Sequence, residues 1–308
     1  MRRRVMIVLA AVAAGGVVGV LVWSAGRGTG GGWLAGWNDP ARALTAQAAQ
    51  AEAKADWAQA ASLAERVLKE YPAAASTDRA LLILGNASAR QDRLVEAKQA
   101  YQRLLTERPD SVVVGQAQEQ LGEVNIRLFS SPAVTARDAA YDVQPGDSLT
   151  KIAKEFHTTI ELLATANHLP DEILRPKMRL KVPRASFSVV VDKSQNTLTL
   201  KDGEEVLKVY RVATGTENST PIGAFHIVNR IPNPPWYTPQ GAIPFGDPRN
   251  ILGTRWLGFD KPGYGIHGTA DPSSIGKQAT AGCVRLANHD VEELYILLPV
   301  GTPVTIVD

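Results

Sequence analysis

Cysteine is nearly absent from the sequence: Cys283 is the only one in 308 residues. A single thiol excludes an internal disulfide framework and any zinc site that needs several cysteines. The five histidines are scattered along the chain, so no metal site is expected. The sequence also lacks a P-loop and a dinucleotide-binding G-x-G-x-x-G motif after a strand, and we expect the protein to use no cofactor.

An excess of charge of one sign is also absent outside the N-terminus, because basic and acidic side chains nearly cancel there. Residues 1–40 carry a net charge of +3, and the rest of the chain carries −1. Since nucleic-acid binding needs a concentrated basic patch, we expect no nucleic-acid partner. The content of 44% apolar and 21% charged residues is typical of globular proteins and excludes wholesale disorder.

An uncharged run of 19 residues, 5–23, follows three arginines at the N-terminus. A helix of that length spans about 28 Å, which is close to the hydrocarbon thickness of a bilayer. Because flanking arginines stay in the cytoplasm, residues 1–26 are predicted to be a membrane anchor, with the bulk of the chain in the periplasm or another extracytoplasmic wall space. A cleaved signal peptide is the alternative. The glycine-rich residues 27–40 are predicted to be a flexible linker.

Residues 41–128 are rich in helix-forming side chains and repeat themselves with a period of 37 residues. Ala60 is echoed by Ala97, and Pro72 by Pro109. A fixed period of this size predicts stacked helical hairpins. The pattern resembles tetratricopeptide repeats, and the resemblance implies a groove for a protein partner. A spacer is the alternative function, and the short stretch 129–140 is predicted to be a linker.

A β-α-α-β unit is predicted over residues 141–184. It turns at Gly146 and Asp147 and starts a helix after Ser148, a typical capping residue. The resemblance to the LysM module implies binding of peptidoglycan glycans that contain N-acetylglucosamine, with Gly146, Asp147 and Ser148 as candidate contacts, mostly through backbone groups. The residues that carry it are Tyr141-x-Val143-x-x-Gly146-Asp147-Ser148-Leu149-x-x-Ile152-Ala153-x-x-Phe156 at the start and Leu180-x-Val182-Pro183 at the end.

The remaining residues, 185–308, alternate short apolar strands with turn signals. The clearest helix begins near Asp290, and we expect Asn288 and Asp290 to cap it. The sequence therefore predicts a mostly β domain, like a sandwich or a barrel, with one flanking helix. With the anchor, the helical repeats and the LysM-like module before it, the predicted fold class is multidomain.

Two short motifs of this domain indicate chemistry. One is Gly265-Ile266-His267-Gly268-Thr269; the other is Thr280-Ala281-Gly282-Cys283-Val284-Arg285, which places Cys283 sixteen residues after His267. A lone cysteine is usually a small buried hydrophobe. Outside the cytoplasm, however, an unpaired thiol is a liability unless it has a use, and a histidine in the same domain could serve as its base.

The two motifs resemble those of the L,D-transpeptidase catalytic domain. Supporting matches lie on either side, in Thr220-Pro221-Ile222-Gly223-Ala224-Phe225 and in Pro299-Val300-Gly301-Thr302-Pro303-Val304. The resemblance implies that Cys283 attacks the carbonyl of the third residue of a peptidoglycan stem tetrapeptide, usually diaminopimelate, and releases D-alanine. An amine of another stem then takes the acyl group and forms a 3→3 cross-link. His267 would act first as general base and then as general acid.

The same resemblance implies roles for the neighbours of these two residues. The backbone carbonyl of Gly268 would orient the imidazole. The backbone amides of Gly282 and Cys283 would stabilise the developing oxyanion. Arg285 would brace the loop or meet a substrate carboxylate.

Four further residues are predicted to contact substrate. Thr280 stands where the family commonly has serine, and Ala281 stands where it often has histidine or arginine. Threonine keeps the hydroxyl, whereas Ala281 is expected to affect the acceptor or the rate. Trp236 and Tyr237 lie in a proline-rich loop that suits a lid or cavity wall, with loop packing as the alternative.

The sequence thus predicts an exported peptidoglycan L,D-transpeptidase whose LysM module holds the glycan strand. Its expected partners are peptidoglycan, the membrane and, on the repeats, a protein. Two alternatives keep the fold: water as acceptor would make it an L,D-carboxypeptidase, and a lipoprotein lysine would make it a wall-anchoring ligase. A third is a non-catalytic scaffold, against which the intact set of His267, Gly282, Cys283 and Arg285 argues.

Overall fold

The computed structural model describes residues 39–308 of the chain. Five helices come first, and each packs against the next one along the chain. This arrangement confirms the helical hairpins predicted from the 37-residue period. The helices are Pro40–Ala53 (α1), Trp57–Glu70 (α2), Thr77–Arg90 (α3), Leu94–Glu107 (α4) and Val114–Ser130 (α5).

Small residues let these helices approach one another. Ala60 and Ala97, which hold equivalent positions in the two repeats, are completely buried. Gly85 faces the ring of Tyr101, and a Cβ atom at Gly85 would clash with that ring. The Tyr101 hydroxyl donates a hydrogen bond of 2.7 Å to Asn86 Oδ1, so the buried ring keeps its polar end satisfied.

The β-α-α-β unit follows, with its two strands paired antiparallel. It has a small core of its own, in which Ile152 and Leu163 are completely buried. Ser148 accepts a hydrogen bond of 3.2 Å from Lys151 N and so caps the first of its two helices. The elements are Ala139–Asp142 (β1), Leu149–Glu155 (α6), Ile160–Ala166 (α7) and Arg179–Val182 (β2).

The rest of the chain is mostly β, with one α-helix, Asn288–Leu297 (α8), and short 3-10 turns at Thr216–Asn218 and Pro272–Ser274. The strands are Phe187–Asp192 (β3), Thr197–Asp202 (β4), Glu205–Arg211 (β5), Thr214–Gly215 (β6), Gly223–Pro232 (β7), Trp236–Thr238 (β8), Gly241–Ile243 (β9), Arg255–Phe259 (β10), Gly265–His267 (β11), Gln278–Thr280 (β12), Val284–Arg285 (β13) and Pro303–Val307 (β14).

Eight of these strands form one mixed sheet in the order β13-β11-β10-β7-β14-β3-β4-β5. The pairs β11–β13 and β14–β3 are parallel, and the other neighbours are antiparallel. Helix α8 packs across β10 and β11. Two small pairs, β8–β9 and β12–β6, stand beside the sheet. The mostly β domain with a flanking helix is thereby confirmed.

Side chains from all three parts of the chain contribute to the core of this sheet. Ile126 and Phe129 of α5 and Leu162 of α7 belong to the same buried apolar cluster as the strands. Helix α5 also packs against the edge strand β5, where Asn125 Nδ2 donates a hydrogen bond of 2.9 Å to the carbonyl of Leu207. Residues 40–308 consequently form one compact unit.

A buried lysine joins the repeats to the LysM-like unit. The Lys181 ammonium, on β2, donates to the carbonyls of Leu128, Ser131 and Ala133 at 2.6–2.8 Å. Asp138 Oδ2 lies 3.5 Å away as the counter-charge. Because the carbonyls at a helix C-terminus lack internal partners, this ammonium caps α5 and fixes the stretch between the repeats and β1.

The predicted fold class is corrected on one element, the membrane helix. No helix among residues 39–308 is long and apolar enough to cross a bilayer. The longest of them, α5, has 17 residues and carries polar and charged side chains, whereas a span needs about 20 mostly apolar residues. The predicted span, residues 5–23, lies outside the described residues. The fold consists of helical repeats, a LysM-like unit and a mostly β domain.

Candidate active site

Two neighbouring strands bring the sequence motifs together. His267 is the last residue of β11, and Cys283 comes directly before β13. The two strands are parallel, with Ile266 opposite Val284 and His267 opposite Arg285. Cys283 therefore lies beside Gly265, at the same edge of the sheet as the histidine.

Both side chains line one cavity of about 480 Å³, called here the cysteine cavity. The structure also places there the other predicted side-chain contacts of the catalytic domain, Arg285, Thr280, Ala281, Trp236 and Tyr237. Pro235, from the same proline-rich loop as Trp236, also lines the cavity. The sequence motifs do not indicate the other lining residues, which are mostly apolar or aromatic: Ile231, Pro234, Ile251, Leu252, Trp256, Gly263 and Tyr264.

The imidazole of His267 is held by the carbonyl that follows it. Its Nδ1 lies 2.6 Å from the carbonyl oxygen of Gly268. Since a carbonyl can only accept, Nδ1 carries the proton and the neutral ring keeps Nε2 as its basic nitrogen. The side chain is 2% exposed, so this orientation is fixed by packing as well as by the hydrogen bond.

Burial and positive charge keep the imidazole uncharged. Burial lowers the pKa of His267 from 6.5 to about 4, with the guanidinium of Arg285 as the second cause. The backbone groups of Gly268 and Leu252 act in the opposite direction but do not offset it. At neutral pH the ring is therefore a neutral base that is able to accept a proton.

The thiol of Cys283 is half-buried and protonated at rest. Its Sγ lies 3.5 Å from the carbonyl oxygen of Gly263. Burial raises the pKa of the Cys283 thiol, while a contact to the backbone of Gly265 and the charge of Arg285 act in the opposite direction. The shifts of both groups favour a neutral thiol–imidazole pair over a resting thiolate–imidazolium pair.

A threonine hydroxyl shapes the loop that carries the cysteine. Thr280 Oγ1 donates to the carbonyl of Cys283 at 2.7 Å and accepts from Gly282 N at 3.1 Å. Gly282 has a φ of +133°, and a Cβ atom there would lie 2.8 Å from the ring of Tyr264, so only glycine fits. Of the two amides predicted to face the oxyanion, that of Gly282 is engaged by Thr280, and that of Cys283 has no backbone acceptor within residues 39–308.

Arg285 lines the cavity, and bonds to neighbouring residues hold it in place. Its side chain is 9% exposed, and Nη1 donates to Ser274 Oγ at 3.2 Å. The backbone of Arg285 exchanges hydrogen bonds of 2.8 and 2.9 Å with Ala213. Its Nε has no hydrogen-bond partner among the described residues. The guanidinium thus braces β13 and supplies positive potential to the cavity.

Two residues that the sequence motifs did not indicate contact the histidine segment. The indole of Trp256, directly opposite His267 on β10, stacks on the imidazole with ring centres 6.0 Å apart. Asn288, expected to cap α8, instead accepts from Thr254 N at 3.3 Å and from Thr269 N at 3.0 Å. The capping position itself is occupied by Ala287. A contact between Trp256 and His267 could have been predicted only from the cross-strand register of β10 and β11.

The predicted glycan contacts lie on the LysM-like unit, outside the lining of the cysteine cavity. Gly146 has a φ of +85°, which makes the turn before α6. Asp147 accepts from the Tyr141 hydroxyl and from Gln144 N, both at 2.8 Å. Ser148 is occupied as the cap of α6. The side chains of Asp147 and Ser148 are thus engaged within the turn, so a ligand bound at this segment would contact mainly its backbone groups.

Comparison with known proteins assigns three parts of the chain to families. A family model described as the L,D-transpeptidase catalytic domain matches residues 186–306, a LysM model matches 141–183, and a tetratricopeptide-repeat model matches 42–74 and 79–111. YkuD of Bacillus licheniformis, assigned by name to the L,D-transpeptidases, is 38% identical over 54% of this chain and 97% of YkuD. YqjB of Bacillus subtilis, assigned likewise, is 43% identical over 39% of this chain and 70% of YqjB. The chain belongs to the L,D-transpeptidase family.

Proposed function

We propose that the protein is a cysteine-dependent acyltransferase that forms 3→3 cross-links in peptidoglycan, with Cys283 as the nucleophile. The observation that carries the proposal is the single cavity lined by Cys283 and by an imidazole whose Nδ1 is bound to the Gly268 carbonyl. That arrangement leaves Nε2 as the proton acceptor that a thiol nucleophile needs.

Acylation would proceed with the neutral pair. As Sγ of Cys283 attacks the carbonyl carbon of the third stem residue, Nε2 of His267 takes the thiol proton. The imidazolium then gives that proton to the nitrogen of the departing D-alanine, and the C–N bond breaks. The products are a thioester on Cys283 and free D-alanine.

The imidazolium and the oxyanion both need stabilisation during this step. A pKa of about 4 for His267 instead of 6.5 means that the fold disfavours the imidazolium by about 3 kcal/mol at rest. The hydrogen bond from Nδ1 to the Gly268 carbonyl, 2.6 Å long, becomes stronger as the ring gains charge. The amide of Cys283 is the donor available to the oxyanion, and one such donor typically contributes about 3 kcal/mol to catalysis.

Transfer to an acceptor completes the cycle. An amine of a second stem attacks the thioester carbonyl, His267 takes the amine proton, and the thiolate of Cys283 leaves and is reprotonated. Water in place of the amine would give an L,D-carboxypeptidase, and a lipoprotein lysine would give a wall-anchoring ligase. Muropeptide analysis of purified sacculi after incubation with the protein separates these outcomes by their products.

Peptidoglycan is the common ligand of the two recognised domains, since both the LysM and the transpeptidase families point to it. We propose that the LysM unit binds the glycan strand through the backbone of the Gly146–Ser148 turn. We propose in addition that residues 40–308 work outside the cytoplasm, where assembled peptidoglycan lies.

Intact-mass spectrometry with a stem tetrapeptide or a carbapenem tests the nucleophile. The wild-type protein is expected to gain the mass of one acyl group, and Cys283→Ala is expected to gain none. Because Cys283 is half-buried, the alanine variant should keep the thermal stability of the wild type to within about 1 kcal/mol. Thr158→Ala, a threonine of the LysM unit that lies outside the cavity lining, serves as the matched control and should still acylate. An adduct on the Cys283→Ala variant would refute the assignment.

A further inference from the structure

One buried side-chain amide binds both ends of a hairpin that forms part of the wall of the cysteine cavity. The hairpin, called here the cavity hairpin, consists of β8 and β9, residues 236–243. Asn250 is 6% exposed, and its Nδ2 donates to the carbonyl of Pro234 at 2.9 Å and to that of Ile243 at 3.1 Å. Pro234 lies just before β8, and Ile243 is the last residue of β9, so the amide joins the two strands at their open end.

The cavity hairpin depends on this attachment. It has three residue pairs and stands apart from the eight-stranded sheet. An isolated two-stranded hairpin is at best marginally stable in water. Trp236 and Tyr237, the side chains through which it lines the cavity, therefore owe their position to contacts at its base.

The same residue reaches toward the catalytic histidine. Oδ1 of Asn250 accepts a hydrogen bond of 2.9 Å from Leu252 N. Leu252 lines the cavity, and its backbone influences the pKa of His267. Two residues further on, Thr254 N is bound to Asn288, which also holds Thr269 N next to Gly268. The bonds next to Gly268 are thus made by Asn288 and not by Asn250, so loss of the Asn250 amide is expected to leave the orientation of the imidazole unchanged.

We propose that Asn250 is a positioning residue for binding of the donor stem: it keeps the cavity hairpin in place as the wall against which the peptide packs. The inference rests on the proposed function for its substrate. Asn250 does not line the cavity, so it acts through Trp236 and Tyr237 rather than by contact with the peptide.

The chemistry of the amide explains why asparagine is needed here. Two carbonyls and one N–H meet at this buried point, and an asparagine side chain supplies two donors and one acceptor. Alanine would remove all three hydrogen bonds, and each buried group that is left unpaired costs about 1–3 kcal/mol. Aspartate keeps the shape and the acceptor but places a negative charge against two carbonyl oxygens.

Hydrogen exchange and steady-state kinetics of the full chain test the proposal. In Asn250→Ala and Asn250→Asp, amides of residues 236–243 should exchange at least about ten-fold faster, while β3 and β14 keep their protection. With a stem tetrapeptide and a stem amine as acceptor, KM for the tetrapeptide should rise about five-fold or more and kcat should stay within about two-fold. Gln240→Ala, an exposed change at the tip of the same hairpin, should alter neither quantity.

The outcomes separate this proposal from the proposed function. Unchanged exchange of the hairpin in both variants, or faster exchange across the whole sheet, would overturn the role of Asn250. A fall in kcat at constant KM would overturn it as well, because it would place Asn250 in the chemical step. A wild-type protein that fails to turn over the tetrapeptide would contradict the proposed function, while the exchange measurement would still decide whether Asn250 holds the hairpin.

Discussion

Replacement of Leu162 by alanine tests whether the LysM unit is built into the catalytic domain. Leu162 belongs by sequence to α7 of the LysM unit, yet it is completely buried in the apolar cluster of the eight-stranded sheet. Its neighbour Leu163 is equally buried but belongs to the small core of the LysM unit itself. The two leucines differ only in the core that each one fills, so Leu163→Ala is a matched control.

The expected size of the effect follows from the complete burial of Leu162. Leu→Ala at a fully buried site typically costs about 2–5 kcal/mol, in part because a cavity is left behind. For a domain of the size of residues 185–308, about 3 kcal/mol corresponds to a fall in melting temperature on the order of 10 °C. For Leu162→Ala that loss should fall on the catalytic domain, although the substitution lies outside the transpeptidase match.

The assay is the temperature at which the protein loses its ability to be acylated by a carbapenem, read by intact mass after brief heating. Leu162→Ala should lower that midpoint by on the order of 10 °C. Leu163→Ala should lower it by less than half as much, because the catalytic core keeps all of its own side chains. A midpoint that Leu162→Ala leaves unchanged would refute the reasoning and make the LysM unit a separate, loosely attached domain.

Two further predictions concern the active site. Thr280→Val removes the hydroxyl that bonds both Gly282 N and the Cys283 carbonyl. Acylation should therefore slow about ten-fold, which corresponds to about 1.4 kcal/mol in the activation free energy. Thr280→Ser should stay near the wild-type rate, and equal rates for the two variants would contradict the role of the hydroxyl. The pKa of His267 is about 4 in the folded protein, against 6.5 ordinarily. Between these two pH values the unfolded chain binds more protons than the folded protein. The free energy of unfolding should therefore fall by about 3 kcal/mol as the pH drops from 6.5 to about 4. Urea titrations should show a steeper pH dependence of the unfolding free energy in the wild type than in His267→Asn, by about this amount. Equal slopes in the two proteins would contradict the assignment to His267.

Local sequence signals predicted what local interactions determine. The turn and cap at Gly146–Ser148 are fixed by residues within five positions of one another, and they fold as expected. The helical hairpins follow from a repeat that is visible in the sequence. The motif resemblance predicts that His267 and Cys283 act as a pair. The parallel register of β11 and β13 explains how the two residues come to line one cavity.

Contacts between distant segments could not be predicted in this way. Nothing in the sequence around Lys181 indicates that its ammonium meets three carbonyls about 50 residues earlier. Asn288 illustrates the same limit, because an asparagine at a helix start can bond its own helix or a nearby loop. Which of the two occurs depends on the close approach of Thr254 and Thr269, and that approach is set by the sheet.

The arrangement of the sheet defines what the LysM unit can contribute to catalysis. Trp256 and Ile231 are register partners on β10 and β7 and face the cysteine cavity. Because successive strand residues point to opposite faces, the next pair, Leu257 and Arg230, faces α8 and the LysM unit.

On that opposite face the LysM unit is held in one orientation. Arg230 forms an ion pair of 3.0 Å with Glu161 of α7 and also donates to the carbonyl of Tyr295 on α8, while Leu162 fills the shared core. A module on a flexible linker helps an enzyme by raising the local concentration of substrate. A module fixed by a shared core and an ion pair instead presents its ligand at a set distance and direction from Cys283. If the module binds a glycan strand as proposed, we therefore expect it to supply orientation to the reaction rather than local concentration.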